Sequence, residues 1–408
     1  MTELMSPCGN FDTLAAAIQA GANSVYFGVE KLNMRARNPR NFKLSEIKKV
    51  MDICHKSKVR GYLAINTILY DHETAIVEKM LKEAKKAKVD AIIASDMAIM
   101  LKARKLGLDV HISTQANISN FESCKFYSKY AERVVLAREL TLPLIKNIIQ
   151  SIKKEKVKGP NGKLLEVETF CHGALCVAIS GRCYMSLFNE NASANRGACI
   201  QTCRRTYTVK DKETGQELDI ENDRVMSPKD LCTIGFLDKL VDAGIHTFKI
   251  EGRARAADYV FVTTQCYREA LDSIKNKTYS KKKVDDWLSR LETVYNRGFT
   301  SGYFMGAPAD FWSKAHGSIA REVKEQIGTV LNYYQNAQVA HVRIESGRLN
   351  IGDDIMIIGP TTGYHRQKLE NIKVDEKTAN SASKGDDTTI KVGVKVRRND
   401  QVYVVKKN

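Results

Sequence analysis

Short apolar segments alternate with longer amphipathic segments over roughly the first 275 residues of the chain. The apolar segments are rich in Val, Ile and Tyr, which is typical of buried strands, and the segments between them repeat apolar residues at helical spacing. In the segment that starts at Glu73, the apolar residues form one stripe and lysines fill the opposite face. The predicted strands are 3–7, 24–29, 60–67, 90–95, 109–115, 133–139, 165–173 and 246–253.

Eight strands that alternate with helices predict an α/β fold of the (β/α)8-barrel type. A doubly wound open sheet is the alternative, but no GxGxxG follows the first strand, so the dinucleotide-binding version gains no support. The connection before the last strand is about seventy residues long, far longer than an ordinary loop. We therefore expect a Cys-rich insertion at about 174–245, with a small hairpin that turns at Glu213–Gly215.

From about residue 325 the pattern changes to short strands that are separated by glycine-containing turns. A helical stretch that starts near Lys281 lies between this tail and the barrel. We predict three parts: a barrel with its insertion at 1–275, a helical connector at 276–324 and a small β-barrel at 325–408.

The net charge adds an expectation about partners, because the 408 residues carry a formal charge of +17. Such a surplus favours a polyanionic partner, and a solvated basic surface is the alternative. No signal-peptide pattern follows Met1, and no apolar run approaches the roughly 18–20 residues of a membrane helix. We expect a cytoplasmic protein without a membrane partner, in which the 10 cysteines form no structural disulfides.

Five cysteines fall within about thirty-five residues, in the last part of the seventh predicted strand and in the insertion. A [4Fe–4S] cluster or a structural zinc ion takes four thiolates, and four are available at Cys176, Cys183, Cys199 and Cys203. Only the gap between the last two fits a zinc knuckle, so the spacing favours an iron–sulfur cluster. Free, reduced core cysteines are the remaining alternative.

Polar residues follow several predicted strands at their C-terminal ends, where α/β barrels carry their chemistry. The candidates for catalysis are Arg138, Glu139, His172, Glu251 and Arg253, and those for binding a cofactor or cosubstrate are Asn66 and Gln115. An internal ion pair that closes the barrel is the alternative for Glu139 and Arg253. Arg35 and Arg37 follow the second strand and suit an anion, with a solvated loop as the alternative.

The chain resembles the U32 family, which was first catalogued as collagenase-like peptidases. The matching segments are ELMSPCGNFDTLAAAIQAGANSVYFG, HGALCVAISGRCYMS, NRGACIQTCRR, MSPKDL and FKIEGRAR. The resemblance covers about residues 2 to 310, and the β-rich tail is similar to the C-terminal domain of the family.

The branch that the chain looks most like forms 5-hydroxyuridine at the wobble position of tRNA, with an Fe–S cluster and prephenate or a related chorismate-pathway carboxylate. Related branches hydroxylate a 23S rRNA cytidine or help to hydroxylate the ubiquinone ring. The resemblance implies Cys176, Cys183, Cys199 and Cys203 as cluster ligands, although some branches place one ligand farther downstream, where Cys232 is the nearest candidate. It also implies a tRNA partner, bound at the anticodon region, and allows a paralogous subunit.

Two other functions stay open at this point: a peptidase, and an RNA-binding protein without enzymatic activity. A peptidase needs a nucleophile with a base, or a catalytic metal. The sequence contains no HExxH, no GxSxG and no papain-like cysteine context, and His72–Glu73 lacks the second histidine.

Overall fold

The structure is a computed structural model that describes residues 2–37, 40–218, 226–307, 311–315 and 317–408. In chain order, the strands of the first 300 residues are β1 (Glu3–Pro7), β2 (Ser24–Phe27), β3 (Arg60–Ile65), β4 (Ala91–Ala94), β5 (Val110–Ile112), β6 (Arg133–Val135), β7 (Glu166–Ala174), β8 (Val209–Lys210), β9 (Glu217–Leu218), β10 (Asp230–Cys232), β11 (Thr247–Ile250) and β12 (Phe299–Thr300).

The helices fill the intervals between these strands, as the amphipathic segments predict. They are α1 (Phe11–Gln19), α2 (Ile47–Lys56), α3 (Thr74–Lys86), α4 (Met97–Lys105), α5 (Phe121–Tyr127), α6 (Leu142–Lys154), α7 (Met185–Glu190), α8 (Leu237–Asp242), α9 (Ala257–Lys275) and α10 (Lys281–Leu291). Helix α1 begins after Asn10, whose side chain accepts a hydrogen bond from the backbone of Thr13 at 3.0 Å. Within the described residues, no helix is both long enough and apolar enough to cross a bilayer.

Strands β1 to β7 and β11 form a closed parallel ring, so the predicted barrel is confirmed. The ring closes at β11, where Thr247 pairs with Glu3 of β1 and with Glu168 of β7. All eight predicted strands are present, but several end earlier than predicted. The sixth ends at Val135 rather than at residue 139, and Leu136 after it makes only an isolated bridge to Ile118.

The long connection between β7 and β11 is the predicted Cys-rich insertion. It contains α7, the hairpin β8–β9, β10 and α8, and the pairing of Lys210 with Glu217 confirms the predicted hairpin. Strand β10 lies antiparallel to the end of β7, with Cys232 opposite His172, and pairs on its other side with β12. The insertion is therefore anchored on the barrel sheet itself.

The interior of the ring contains charged side chains near the N-terminal ends of the strands. Arg133, which is 1% exposed, lies 2.7 Å from the carboxylate of Glu3 and 3.5 Å from that of Glu168. Lys249 contacts the same Glu168 at 3.0 Å. Above these charges, a small apolar cluster that includes Met5, Tyr62 and Ile93 fills the ring. Buried charges are tolerated only when they are paired, and here each acid has a basic neighbour.

The C-terminal part is a separate antiparallel β region, as predicted. Its strands are β13 (Glu322–Tyr334), β14 (Val339–Ile344), β15 (Arg348–Asn350), β16 (Asp354–Gly359), β17 (Gly363–Lys368), β18 (Ile372–Val374), β19 (Lys377–Ala379), β20 (Ser381–Ser383), β21 (Asp387–Lys391) and β22 (Gln401–Lys407). Eight of them pair in the order β17-β16-β22-β13-β14-β21-β18-β19 around a core of their own.

This β region packs on the outer side of α1 and α9. The rings of Tyr364 and Phe261 stack with centroids 4.5 Å apart, and the backbone of Tyr364 donates a hydrogen bond to Gln19 of α1 at 3.0 Å. Lys324 of β13 pairs with Asp258 of α9. The contact thus covers the two helices that follow β1 and β11.

We predict that Glu3→Gln destabilises the protein in a pH-dependent manner. Burial raises the pKa of Glu3, but the charge and hydrogen bonds of Arg133 outweigh it and lower the pKa to about 2. The ionised carboxylate therefore stabilises the fold fully above about pH 4.5, and this contribution is lost as the pH falls towards 2. Urea unfolding should show a loss of about 3 kcal/mol at pH 7, and a smaller loss at low pH.

The matched control is Glu325→Gln, which removes an exposed pair with Lys406. Such pairs contribute about 0–1 kcal/mol. Equal losses for the two variants at pH 7 would show that the interior pairs add no more to stability than surface pairs.

Candidate active site

A cavity of about 300 Å³ lies between the C-terminal ends of the barrel strands, here called the mouth, and the Cys-rich insertion. The barrel lines it with side chains that follow β2, β3, β5, β6 and β11. The insertion supplies the opposite side. The polar strand ends and the cysteine-rich segment therefore face the same space, which is the usual position of chemistry in such barrels.

All four predicted ligand cysteines line this cavity. Cys176 and Cys199 are exposed, and Cys183 and Cys203 are half-buried. Burial raises the pKa of Cys203, the positive charge of Arg204 opposes this change, and the other three thiols raise the pKa further. Each of the three is thus close enough to Cys203 to act on its charge.

The chemistry of this donor set fits a group that is ligated by thiolates. Four sulfur atoms face one cavity, and Gly181 lines the same space without a side chain. Sulfur-only sets of this size hold iron–sulfur clusters or structural zinc. Among the described residues, no three Cys, His, Asp or Glu side chains already stand in the arrangement of a bound metal ion.

Cys232, the downstream candidate for a ligand, lies outside the cavity lining. Its sulfur is 3.8 Å from the hydroxyl of Tyr267, and burial raises the pKa of its thiol to about 11. Its strand, β10, places it against β7 rather than towards the other sulfur atoms. The structure therefore favours packing as the role of this residue.

Close backbone contacts hold the segment that carries Cys199 against the mouth. Gly197 has a positive φ of 82°, and its carbonyl accepts a hydrogen bond from the backbone of Arg37 at 3.4 Å. A Cβ atom at this position would lie 2.1 Å from the carbonyl oxygen of Asn33. Next to it, the guanidinium of Arg196 pairs with Glu73 at 2.5 Å. Only glycine allows the two chains to approach so closely.

Four guanidinium groups that follow barrel strands line the cavity, and we call them the cationic wall: Arg35, Arg138, Arg253 and Arg255. Arg204 and Arg297 line it as well. Arg35 pairs with Glu251 at 2.8 Å, and the hydroxyl of Tyr26 donates to the same carboxylate at 3.0 Å. Burial raises the pKa of Glu251, but Arg35 lowers it further, to about 2. Glu251 is therefore ionised and offsets only part of the positive charge.

The other members of the cationic wall have no carboxylate at contact distance within the described residues. Arg138 donates to the carbonyl of Ala174 at 3.2 Å, and Arg255 lies 3.3 Å from the ring centre of Tyr295. Arg253 is only 5% exposed, and its Nη1 has no hydrogen-bond partner in the described part of the chain. A buried guanidinium nitrogen without a partner favours an anion nearby.

Two side-chain amides that follow barrel strands, Asn66 and Gln115, also line the cavity, and we call them the amide pair. The Asn66 amide nitrogen donates to Ser113 and to the Gln115 side-chain oxygen, each at 3.2 Å. Its own oxygen accepts from the backbone of Met34 at 3.3 Å. This network fixes the orientation of Gln115 and turns its amide nitrogen towards Gly181, at the cavity.

The structure thus brings most of the predicted site residues into one cavity: Arg35, Asn66, Gln115, Arg138, Glu251, Arg253 and the four cysteines. Three others do not line it. Arg37 is exposed, and so is Glu139, which lies in the connection between the end of β6 at Val135 and α6. His172 is buried behind the cavity against Tyr267, and burial lowers its pKa to about 3.

Sequence reasoning missed several further residues of the cavity, among them Lys249, Arg255, Tyr295 and Arg297. Arg255 stands two residues after Arg253 in the FKIEGRAR segment, so the basic pair was a usable signal. Tyr295 comes from the connector after α10, and nothing in its neighbourhood of the sequence indicates that it returns to the mouth.

Comparison with known proteins finds a family model that matches this chain and relatives of similar sequence, three of which are described here. The model, described as Peptidase family U32, matches residues 9–314. A protein named collagenase from Porphyromonas gingivalis is 48% identical over 401 residues, which cover 98% of this chain and 97% of its own. The tRNA hydroxylation protein P of Helicobacter pylori is 33% identical over 317 residues, with 75% and 72% coverage. A 23S rRNA 5-hydroxycytidine synthase of Escherichia coli is 35% identical over 312 residues, with 75% and 45% coverage.

We predict that Gly197→Ala releases the Cys199 segment from the mouth. The new Cβ atom would collide with Asn33, and a non-glycine residue at positive φ costs a further 1–2 kcal/mol or so. The loss of unfolding free energy should exceed about 3 kcal/mol. In addition, Cys199 should react faster with a thiol reagent, as measured by peptide mass spectrometry.

Gly215→Ala is the matched control, because Gly215 also has a positive φ, of 73°, but has open space around it. Gly215→Ala should lower the unfolding free energy only by the cost of placing a non-glycine residue at positive φ. The rate at which Cys199 reacts with the thiol reagent should stay unchanged. If the two variants behaved alike, the close approach at Gly197 would not be what holds this segment.

Proposed function

Since this chain belongs to peptidase family U32, we propose that it is an RNA-modifying enzyme that hydroxylates a pyrimidine, forming 5-hydroxyuridine at the wobble position of tRNA. Relatives that are named for tRNA hydroxylation and for 5-hydroxycytidine synthesis in 23S rRNA support RNA as the substrate class. The observation that carries the proposal is the single cavity that four thiols and the cationic wall share.

Cys176, Cys183, Cys199 and Cys203 would hold a [4Fe–4S] cluster, since four sulfur atoms complete its ligand set. When bound, such a cluster supplies one-electron redox chemistry at the mouth. The conversion itself inserts one oxygen atom into a C–H bond of the base, a two-electron oxidation that an oxygen-atom donor balances by being reduced. The positive charge of Arg204 lowers the pKa of Cys203 and so opposes the larger effect of burial, which raises it.

The cationic wall suits a carboxylate cosubstrate, for which we propose prephenate or a related chorismate-pathway acid. Four guanidinium groups face one carboxylate, Glu251, so the wall keeps a net positive charge. Arg35 uses one nitrogen for Glu251 and has further donors for an anion. The amide pair, which lines the same cavity, offers the Gln115 amide nitrogen as an additional donor.

The RNA base has to enter this cavity for its reacting atom to meet the site. Enzymes that modify bases take them out of the stack, and the cost is smallest where the base is already single-stranded. A wobble base lies in the anticodon loop and meets this condition. The formal charge of +17 supports the approach of a polyanion.

A peptidase is the second candidate, because one relative at 48% identity is named collagenase. A cysteine peptidase needs a thiol and an imidazole within hydrogen-bond reach. The nearest histidine in sequence, His172, instead faces Tyr267, with its Nδ1 3.4 Å from that hydroxyl. The arrangement of the cavity therefore gives more support to RNA hydroxylation than to peptide hydrolysis.

The deciding experiment is nucleoside mass spectrometry of total tRNA and rRNA after deletion of the gene. Loss of 5-hydroxyuridine from tRNA is the expected result, and re-expression of the intact chain should restore it. If only a hydroxylated rRNA nucleoside is lost, the substrate is rRNA rather than tRNA. Unchanged nucleosides together with collagen-peptide hydrolysis by the purified protein would favour the peptidase.

We predict that Cys176→Ser removes both bound iron and the modification. A hydroxyl replaces one of four thiolates, and clusters with an incomplete ligand set are lost readily. Iron and sulfide content and absorbance near 400 nm of anaerobically purified protein would be measured, together with nucleosides from the complemented deletion strain.

Cys266→Ala is the control, since Cys266 is fully buried in α9 with its sulfur near the carbonyl of Trp287. Its iron content and modification level should match those of the wild type. Full iron content in Cys176→Ser would refute this residue as a ligand.

We predict that Arg35→Ala and Arg37→Ala, two residues apart, differ in their effect. Arg35 lines the cavity, so its loss should raise the KM for the carboxylate cosubstrate about 10- to 100-fold, the worth of one charge-assisted hydrogen bond. Arg37 is exposed outside the cavity, so its variant should stay within about twofold of the wild type. Equal KM values for the two variants would exclude Arg35 from cosubstrate binding.

A further inference from the structure

The Cys-rich insertion exposes three large apolar side chains within ten residues of sequence. Phe188 is 90% exposed, Tyr184 76% and Ile179 62%, and these are the three highest values of any large apolar residue in the described part of the chain. Isolated exposed apolar residues are common on protein surfaces and need no explanation. Three extreme values within ten residues of one insertion do.

Tyr184 and Phe188 lie on one face of a short helical turn. They are four residues apart, and the backbone of Phe188 donates to the carbonyl of Tyr184 at 2.8 Å. Between them in sequence, Met185 and Ser186 turn inward and line the cavity, as does Cys183 just before them. The two aromatic rings therefore form the outer surface of the same segment that walls the cavity.

Two arginines stand on either side of the rings in the sequence. Arg182, two residues before Tyr184, is exposed, and its Nε donates to the backbone carbonyl of Gln115 at 2.9 Å, which holds the guanidinium in place. Arg205 is exposed as well and contacts Glu190, at the end of the same helical turn, at 2.9 Å. Exposed aromatic rings between basic side chains are typical of surfaces that bind single-stranded nucleic acids.

The size of the patch also argues against a stable protein interface. Two aromatic rings and one Ile offer roughly 500 Å² of contact area, whereas a stable interface buries about 800 Å² on each partner. Base stacking needs no larger area, because each ring takes one base. The charge of the whole chain, +17, adds to the preference for a polyanion.

We propose that Tyr184 and Phe188, the aromatic platform, stack on the unpaired RNA bases that flank the base in the cavity, with Arg182 placed for a neighbouring phosphate. This inference rests on the proposed function in one respect, that the substrate is RNA. The inference goes beyond the proposed function because it assigns the residues that hold the RNA strand outside the cavity. Each stacked base contributes roughly five- to a hundredfold in affinity, independently of its sequence.

The test uses the full chain and a fluorescently labelled anticodon stem–loop RNA, with affinity measured by anisotropy at a fixed salt concentration. The Tyr184→Ala/Phe188→Ala double variant should bind at least tenfold more weakly, whereas Phe188→Trp, which keeps a stacking surface, should bind like the wild type. Tyr334→Ala is the control, since Tyr334 is a half-exposed tyrosine of the C-terminal sheet. Melting curves should coincide for all variants, because both rings are exposed.

A second RNA, abasic at the two positions next to the wobble nucleotide, isolates stacking from charge. The affinity of the wild type for this RNA should fall by the same factor as the affinity of the double variant for the intact RNA. The double variant should bind the abasic and the intact RNA with equal affinity. Unchanged affinity of the double variant, or an equal loss on both RNAs, would overturn the platform. Loss of self-association in sedimentation, with intact RNA binding, would also overturn it in favour of a protein interface.

The same measurements separate this inference from the proposed function. Platform-dependent RNA binding by the Cys176→Ser protein would support the platform even in the absence of any hydroxylation. Conversely, if the wild type hydroxylates RNA and the double variant retains full affinity, the proposed function would be supported and the aromatic platform would be refuted.

Discussion

Arg133 lies inside the barrel between the carboxylates of Glu3 and Glu168, and the rest of the structure depends on these contacts. The three residues belong to β1, β6 and β7, and Lys249 of β11 extends the same network. A ring of parallel strands with this many charges inside is stable only if every charge has a partner. The network therefore selects one register of the closing strands, because a slip of one residue would leave a buried charge alone.

The register of closure in turn positions the site. β11 carries Glu251 directly after its last residue, and the closed ring places that carboxylate against Arg35, which follows β2. The two residues are 216 positions apart in the chain. The cationic wall, the amide pair and the thiols of the insertion line the same cavity at the mouth. The positions of the groups that the barrel supplies therefore follow from how its strands pair below them.

The alternation of apolar and amphipathic segments predicts the barrel. The length of the connection before the last strand predicts the insertion, and the short strands between glycine-containing turns predict the C-terminal β region. The ends of the strands were less predictable, since Arg138 and Glu139 continue an apolar run that leaves the sheet after Val135. Consequently Glu139 was expected at the mouth and is exposed. Interior salt bridges such as Glu3–Arg133 could not be read from the sequence, because a charged residue at a strand start looks the same whether it points inward or outward. The thiol spacing indicated a shared site, but the return of Tyr295 to the cavity depends on tertiary structure alone.

The barrel closes by pairing its first strand with its last, and this has a consequence for synthesis on the ribosome. β1 pairs with β2 on one side, but its other edge pairs with β11, which is synthesised about 240 residues later. At roughly 5–20 residues per second, that edge stays unpaired for about 12 to 50 s. During this interval the nascent chain presents an open strand to its surroundings. Slower elongation lengthens this interval, so the chance that the edge of β1 pairs with another chain rises as translation slows.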